Sequence, residues 1–329
     1  MKIIHNEIQV KEVLKNISET ALVPTMGNLH KGHLSLIDKA REVSEKTIAS
    51  IYINPLQFGV NEDLDNYPRT LNDDLFKLEK AGCDFVFCPS DNILENIQKY
   101  KAPYISKKLC GKTRPTHFDG VVTIVRKLFE VLNPNYAIFG LKDYQQFLII
   151  KEFFKKHNFQ TKILGSPIIR EDDGLAMSSR NNLLSPEDRK IAPKIYEQLT
   201  LIKNNIKNKT HNELIINSIE VFKENNIFPE YLKILNPETL DEHLKKLGIE
   251  PKSDVNEYAK DSTLVKYIEE EIERVNKSLA RVQTVKKFTI LAKPFDVATG
   301  ELTPTMKLKR KFILMKFAKE VEELYKIQS

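Results

Sequence analysis

The chain has 329 residues, 51 of them Lys or Arg and 45 Asp or Glu, for a formal net charge of +6. Hydrophobic residues make up 41% and charged residues 29%, the balance of a globular protein long enough for two domains and a sizeable core. No apolar run approaches the roughly 20 residues needed to cross a membrane, and so mild a positive charge suits an anionic substrate as well as nucleic acid. No basic stripe interleaved with aromatics appears, which argues against nucleic acid. Cys83, Cys88 and Cys110 offer neither a disulfide framework nor paired metal ligands, and no signal-like apolar core follows Met1. A reducing, cytoplasmic setting is the expectation.

In chain order, apolar runs alternate with helical patterns. Strands are expected at Thr20–Thr25, Thr47–Ile53, Asp84–Cys88, Tyr136–Phe139 and Thr161–Ile169. Helices are expected at Leu34–Val43, Thr70–Ala81, Val121–Leu132 and Tyr144–His157. This alternation predicts an α/β fold, a doubly wound parallel sheet over residues 1–175. Ligands of such sheets bind outside the carboxyl ends of the strands. The polar, glycine-bearing turns fall there: Pro24–His33, Asn54–Gly59, Gly140–Gln146 and Arg170–Gly174.

The first turn reads Pro24-Thr25-Met26-Gly27-Asn28-Leu29-His30-Lys31-Gly32-His33. Its glycines let backbone approach a ligand, and the following helix start favours an anion. His30 and His33 can both face that anion, which points to phosphate chemistry. Two surface histidines in a tight turn would give the same spacing. After the second strand, Asn54 and Gln57 offer amides for a neutral or carboxylate-bearing substrate, or simply meet water. Asp73 and Asp74 open a helix with Thr70 or Asn72 as its cap. They complement its dipole or, as a sharper option, contact Mg²⁺ through water. Arg114 carries a planar fork for carboxylate or phosphate, while His117 is favoured as a cap or buried structural histidine. Lys142 can reach phosphate oxygens; Asp143 can cap the next helix, and Gln146 lies one turn on. Ser178, Ser179 and Arg180 suit triphosphate oxygens, or cap a linker.

Six segments carry a specific resemblance: PTMGNLHKGH, NPLQFG, NEDLDNYPRT, RPTHFDGV, FGLKDYQQ and DGLAMSSRN. In order and spacing they resemble the pantothenate synthetase (pantoate–β-alanine ligase) family over about residues 1–242. The resemblance implies a Rossmann-like nucleotidylyltransferase-type domain and a small α+β lid at 176–242. It implies an ATP-dependent ligase, working with Mg²⁺ through an acyl adenylate and releasing AMP and pyrophosphate, in a homodimer. ATP would lie along Met26, Gly27, Asn28, Leu29, His30, Lys31, Gly32 and His33, along Gly140, Leu141, Lys142 and Asp143, and along Met177, Ser178, Ser179 and Arg180, with adenine near Ile169. Pantoate would meet Gln57 and Gln146, with Asn54 and Arg114 beside the substrates. His33 would take an acid role, with His30, Lys142 and Arg180 as its catalytic companions.

Beyond Asn181 a helix is expected from Pro186, capped by Ser185, then a second at Glu213–Asn225 and a short strand at Tyr231–Asn236. Residues 243–329 instead resemble the C-terminal end of a long-chain acyl-CoA synthetase, notably in GELTPTMKLKR, where Lys307 would match that family's mobile lysine. The expectation there is an amphipathic helix at Thr263–Leu279, a strand at Val285–Leu291, a loop at Thr303-Pro304 and a helix at Phe312–Tyr325. This hybrid end keeps two other readings open. One is a nucleotidylyltransferase acting on another small substrate, which would leave its nucleotide on the product. The other is a non-catalytic nucleotide-binding protein.

Overall fold

The computed structural model describes residues 1–59, 62–241, 261–277, 284–291, 295, 299–301, 303 and 308–325. The chain forms two compact units, Met1–Lys233 and Ile234–Ser329. In the first, six parallel strands pair in the order β1-β4-β3-β2-β5-β6. They are β1 (Lys2–Ile4), β2 (Thr20–Thr25), β3 (Lys46–Ile51), β4 (Phe85–Phe87), β5 (Tyr136–Gly140) and β6 (Lys162–Ser166). The five expected strands are present, shortened at half of their ends. The edge strand β1 and the helix after it, α1 (Glu7–Leu14), escaped the sequence reading. Three residues are too few to show an alternation, and β1 is held by its ladder to β4.

Every connection between strands is a crossover, so the chain winds out along one side of the sheet and returns along the other. The winding direction reverses between β2 and β5, which are neighbours. Loops leaving two such strands diverge and open a crevice between them. Ala21 and Val23 of β2 are fully buried in a cluster with Ala49, Val86 and Ile138. Leu36, Ile37 and Ala40 of α2 (Lys31–Val43) and Leu78 of α3 (Leu71–Lys80) complete that layer. The most apolar helix, α5 (His117–Leu132), buries Phe118, Val121, Val122, Ile124, Val125, Leu128, Phe129 and Leu132. It packs against α6 (Tyr144–Lys156), where Phe129 and Phe154 sit 4.4 Å apart.

α5 follows the four-residue helix α4 (Cys110–Thr113) and starts beside the 3₁₀ turn Pro55–Gln57. The approach leaves no room for a side chain at Gly120, where a Cβ would lie 2.1 Å from the Leu56 carbonyl oxygen. This contact fixes the height of the Gln57 turn above the sheet.

Residues 176–233 belong to the same compact unit as the sheet, and the second unit opens at Ile234. The helix begun at Pro186 divides at Pro193 into α7 (Pro186–Ile191) and α8 (Lys194–Asn205). Proline cannot donate the helical bond required there. α9 (His211–Glu224) opens on a Thr210–Glu213 capping box. The short strand expected at Tyr231–Asn236 does not form: these residues carry no ladder partner among the described strands.

In the second unit α10 (Ser262–Asn276) is capped by the Asp261 carboxylate, which accepts from the Thr263 and Leu264 N–H groups. Residues 284–291 are not a strand, and the last helix divides at Phe317 into α11 (Arg310–Lys316) and α12 (Ala318–Tyr325). Lys316 anchors this end on the buried Glu301 at 2.5 Å. Pro304 and Lys307 lie outside the described residues.

Gly120→Ala tests the close approach. Overpacking costs about 1–3 kcal/mol, so its urea midpoint is expected to fall, with the Gln57 turn displaced even where the fold survives.

Candidate active site

The crevice between β2 and β5 is a cleft of about 290 Å³, at the low end for small-molecule sites. The turn after β2 forms one lip. Gly27 (φ +82°) and Asn28 (φ +49°) both take the left-handed region, so the chain reverses within two residues. The N–H groups of Asn28 and Leu29 then point at the buried Asp74, which accepts them at 2.9 and 2.7 Å and takes the Thr70 hydroxyl at 3.0 Å. Asp73 pairs with Lys77 at 2.6 Å. Neither aspartate is among the residues lining the cleft: Asp74 holds the turn, and Asp73 is exposed beside Lys77. Among the described residues no group of three His, Cys, Asp or Glu could hold a metal ion.

His30 caps α2. Its Nδ1 accepts from the Gly32 N–H at 3.1 Å, and the His33 Nδ1 accepts from the His30 N–H at 3.3 Å. A ring nitrogen that accepts carries no proton, so in each neutral imidazole the proton sits on Nε2. The rings lie 4.1 Å apart and both line the cleft. Burial, with help from His30 and Lys142, pushes the His33 pKa down to about 3. Burial first, then Lys142, lowers His30 as well. Both rings thus present a neutral Nε2–H donor.

The other lip carries the cations. Lys142, just past β5, pairs with Asp143 at 3.2 Å, and Asp143 makes no side-chain cap to α6. Arg180 pairs with Asp63 through two bonds of 2.9 and 2.8 Å. Arg114 is gripped by Glu62 and reaches the Gln57 carbonyl and His117. His117 sits at the start of α5, its Nδ1 2.8 Å from the same carbonyl, in the structural role favoured for it. Gln57 itself accepts from the Asn54 amide at 3.1 Å and donates to the Met26 sulfur. Asn54 is buried, lines the cleft and is committed at both amide ends, to Gln57, Gly120 and Leu56, so it positions Gln57. Gln146 faces the cleft.

Met26, His30, Gly32, His33, Gly140, Lys142, Asp143, Ile169, Met177, Ser178, Ser179 and Arg180 also line the cleft, as expected. Asn28, Leu29 and Lys31 do not. They line an adjoining hollow with Lys77, Met177, Ser178 and Ser179, and the Ser179 hydroxyl donates to the Asn28 carbonyl at 3.1 Å. Gly27 lies over Asp74, and Leu141 turns inward against Gly165, so neither reaches the cleft. The sequence reading missed Tyr52 and Tyr67 as lining residues and missed Glu62 and Asp63 as partners of the arginines. Such pairs join remote loops, and no local pattern announces them.

A family profile described as pantoate-beta-alanine ligase matches residues 2–266. The chain belongs to the pantoate–β-alanine ligase family. It is 49% identical over 193 residues to the pantothenate synthetase of Psychrobacter arcticus, covering 57% of this chain and 67% of that one. It is 42% identical over 223 residues to that of Acinetobacter baumannii, covering 66% and 79%. The solved pantothenate synthetase of Thermus thermophilus superposes with a TM-score of 0.70 at 37% identity, over 73% of this chain and 89% of that one. The pantoate–β-alanine ligase of Francisella tularensis, solved with β,γ-ATP and β-alanine, gives 0.64 at 35%, over 72% and 90%. A second profile, an AMP-binding enzyme C-terminal domain, matches residues 245–329, in keeping with the resemblance read from that stretch.

The buried neutral His33 makes stability depend on pH. Its folded pKa lies below the unfolded value, so between about pH 6.5 and 3 the unfolded chain binds the extra proton. Stability falls as pH drops through that window, by at most about 1.4 kcal/mol per pH unit from this group. Thermal melts of His33→Gln from pH 7 to 4 are expected to show a shallower decline than the parent chain.

Proposed function

We propose that the chain condenses pantoate with β-alanine at the expense of ATP, through a pantoyl adenylate, releasing AMP and pyrophosphate. The observation that carries this reading is the pair of neutral Nε2–H donors at the switch point, facing Lys142 and Arg180 across a cleft that also presents Gln57 and Gln146. Family membership supports it, as do the β,γ-ATP and β-alanine bound by the Francisella tularensis relative.

Adenylation needs charge stabilisation more than a protein nucleophile. A pantoate carboxylate oxygen attacks the α-phosphorus, the bond to the bridging oxygen breaks, and pyrophosphate departs with the electron pair. Negative charge grows on the phosphoryl oxygens. His30 and His33 are assigned to donate Nε2–H bonds there, and Lys142 and Arg180 to supply the fixed cations. Pyrophosphate leaves as a stable anion, so a neutral His33 that donates a hydrogen bond suffices. Gln57 and Gln146 are assigned to pantoate, with the buried Val121, Ile124 and Val125 as its apolar wall. The β-alanine amine then attacks the acyl carbon, AMP departs, and the amine gives up a proton. Mg²⁺ belongs to this proposal as part of the incoming nucleotide, since it prefers phosphate and water oxygens. The homodimer and the cytoplasmic setting are carried with the same reading.

Incubation of the full chain with Mg²⁺-ATP, pantoate and β-alanine is expected to give equal amounts of pantothenate, AMP and pyrophosphate. Omitting β-alanine should suppress free AMP. A product that retains the nucleotide would overturn the ligase reading in favour of a nucleotidylyltransferase. His33→Ala is expected to slow pyrophosphate release by about 100- to 1000-fold, the cost of losing one preorganised donor; near-normal adenylation would refute its role.

A further inference from the structure

Two adjacent carboxylates lie between two arginines of the cleft. Glu62 holds Arg114, and Asp63 holds Arg180. The two grips differ. Arg114 is 32% exposed, and besides Glu62 it meets the Gln57 carbonyl and His117, so its guanidinium is spent on the protein. Arg180 is 52% exposed and faces the cleft beside Ser178 and Ser179; among the described residues its side-chain hydrogen bonds go to Asp63. Hydrogen bonds from the two arginines hold both carboxyls below the usual range, so both are charged at neutral pH.

We propose that Glu62 and Asp63 are positioning residues with opposite effects on the reaction: Glu62 fixes the Gln57 wall through Arg114, and Asp63 is a stand-in anion that the incoming triphosphate displaces from Arg180. The inference rests on the ATP-dependent reading of the cleft. Glu62 acts through a chain of contacts. Its carboxylate orients Arg114, whose guanidinium and the His117 ring both reach the Gln57 carbonyl, so the amide of Gln57 keeps its bonds to Asn54 and Met26. Asp63 acts by competition. Asp63 takes the Nε and Nη2 donors of Arg180, the edge of the guanidinium that can meet an oxyanion through two parallel bonds. A triphosphate that takes that edge must first part it from Asp63. The carboxylate aims Arg180 and weakens nucleotide binding by the same contact.

The test compares the full chain with Asp63→Asn, Glu62→Gln and Glu62→Asp, using pyrophosphate release at varied ATP and pantoate and calorimetric binding of a non-hydrolysable ATP analogue. Asp63→Asn is expected to tighten analogue binding and lower the ATP KM by about 2- to 5-fold, the scale of a part-exposed ion pair, with the pantoate KM unchanged. Glu62→Gln is expected to raise the pantoate KM by about 10-fold or more, the cost of unbalancing a charged hydrogen bond, with the ATP KM moved less. Glu62→Asp should restore part of that loss. Weaker or unchanged analogue binding by Asp63→Asn overturns the stand-in role. Equal rises in both KM values for Glu62→Gln, with no recovery in Glu62→Asp, overturn the positioning role. Should Glu62→Gln fail to fold, the Glu62→Asp KM split decides instead. A parent chain that binds the analogue but forms no pantothenate refutes the proposed reaction, while analogue binding by Asp63→Asn still decides the stand-in role.

Discussion

The buried carboxylate of Asp74 holds the turn on which the cleft is built. Gly27 and Asn28 both occupy the left-handed region, and that reversal leaves the N–H groups of Asn28 and Leu29 directed inward. A buried N–H without a partner costs about 1–3 kcal/mol. Asp74 meets both from the first turn of α3, whose N-terminal dipole also favours a negative charge there. The turn, the start of α2 and the start of α3 are therefore one unit. Everything His30 and His33 present to the cleft follows from where that unit sets the first residues of α2.

Charge around the cleft is almost wholly self-balanced. Lys142 has Asp143, Arg180 has Asp63, Arg114 has Glu62, and the two histidines are neutral. Uncompensated positive groups crowded around so small a space would repel one another strongly. Pairing relieves that repulsion at little cost, because part-exposed ion pairs are weak and exchange readily. An anionic ligand then draws on cations already aimed at it. The histidines contribute differently: their Nδ1 atoms are fixed by backbone N–H groups, so their Nε2–H donors need no reorganisation when charge develops.

Much of this was legible in the sequence, for identifiable reasons. Strands β2 to β6 are apolar runs bounded by turn residues, and their glycine-bearing turns marked the rim that the sheet order makes into a crevice. His30, His33, Lys142, Arg180, Gln57 and Gln146 lie at that rim because they sit in the loops and helix starts that follow β2, β3, β5 and β6. Asp74 was read as a partner of the α3 dipole or as a metal contact, and only the fold brings it under Asn28. Glu62 and Asp63 sit 52 and 117 residues from the arginines they hold, so no spacing could reveal them. The strand expected at Val285–Leu291 failed for the opposite reason: a short apolar run shows a need for burial but does not say which ladder would receive it.

The cleft residues fall between Pro24 and Arg180, all inside the first compact unit. The groups assigned to phosphate, pantoate and leaving pyrophosphate are thus held by one sheet and its loops. The ligase profile ends at residue 266 and overlaps the second profile, which begins at 245, so the foreign character of the chain sets in only after these groups have been placed. Adenylation draws on fixed dipoles and cations close to the phosphorus, and the residues assigned to it all lie in the first unit. The second half-reaction is the more exposed step, because a mixed anhydride survives only where water is kept away until the amine arrives. A changed C-terminal end should therefore act first on the yield of amide per ATP spent, and only secondarily on the rate of pyrophosphate release.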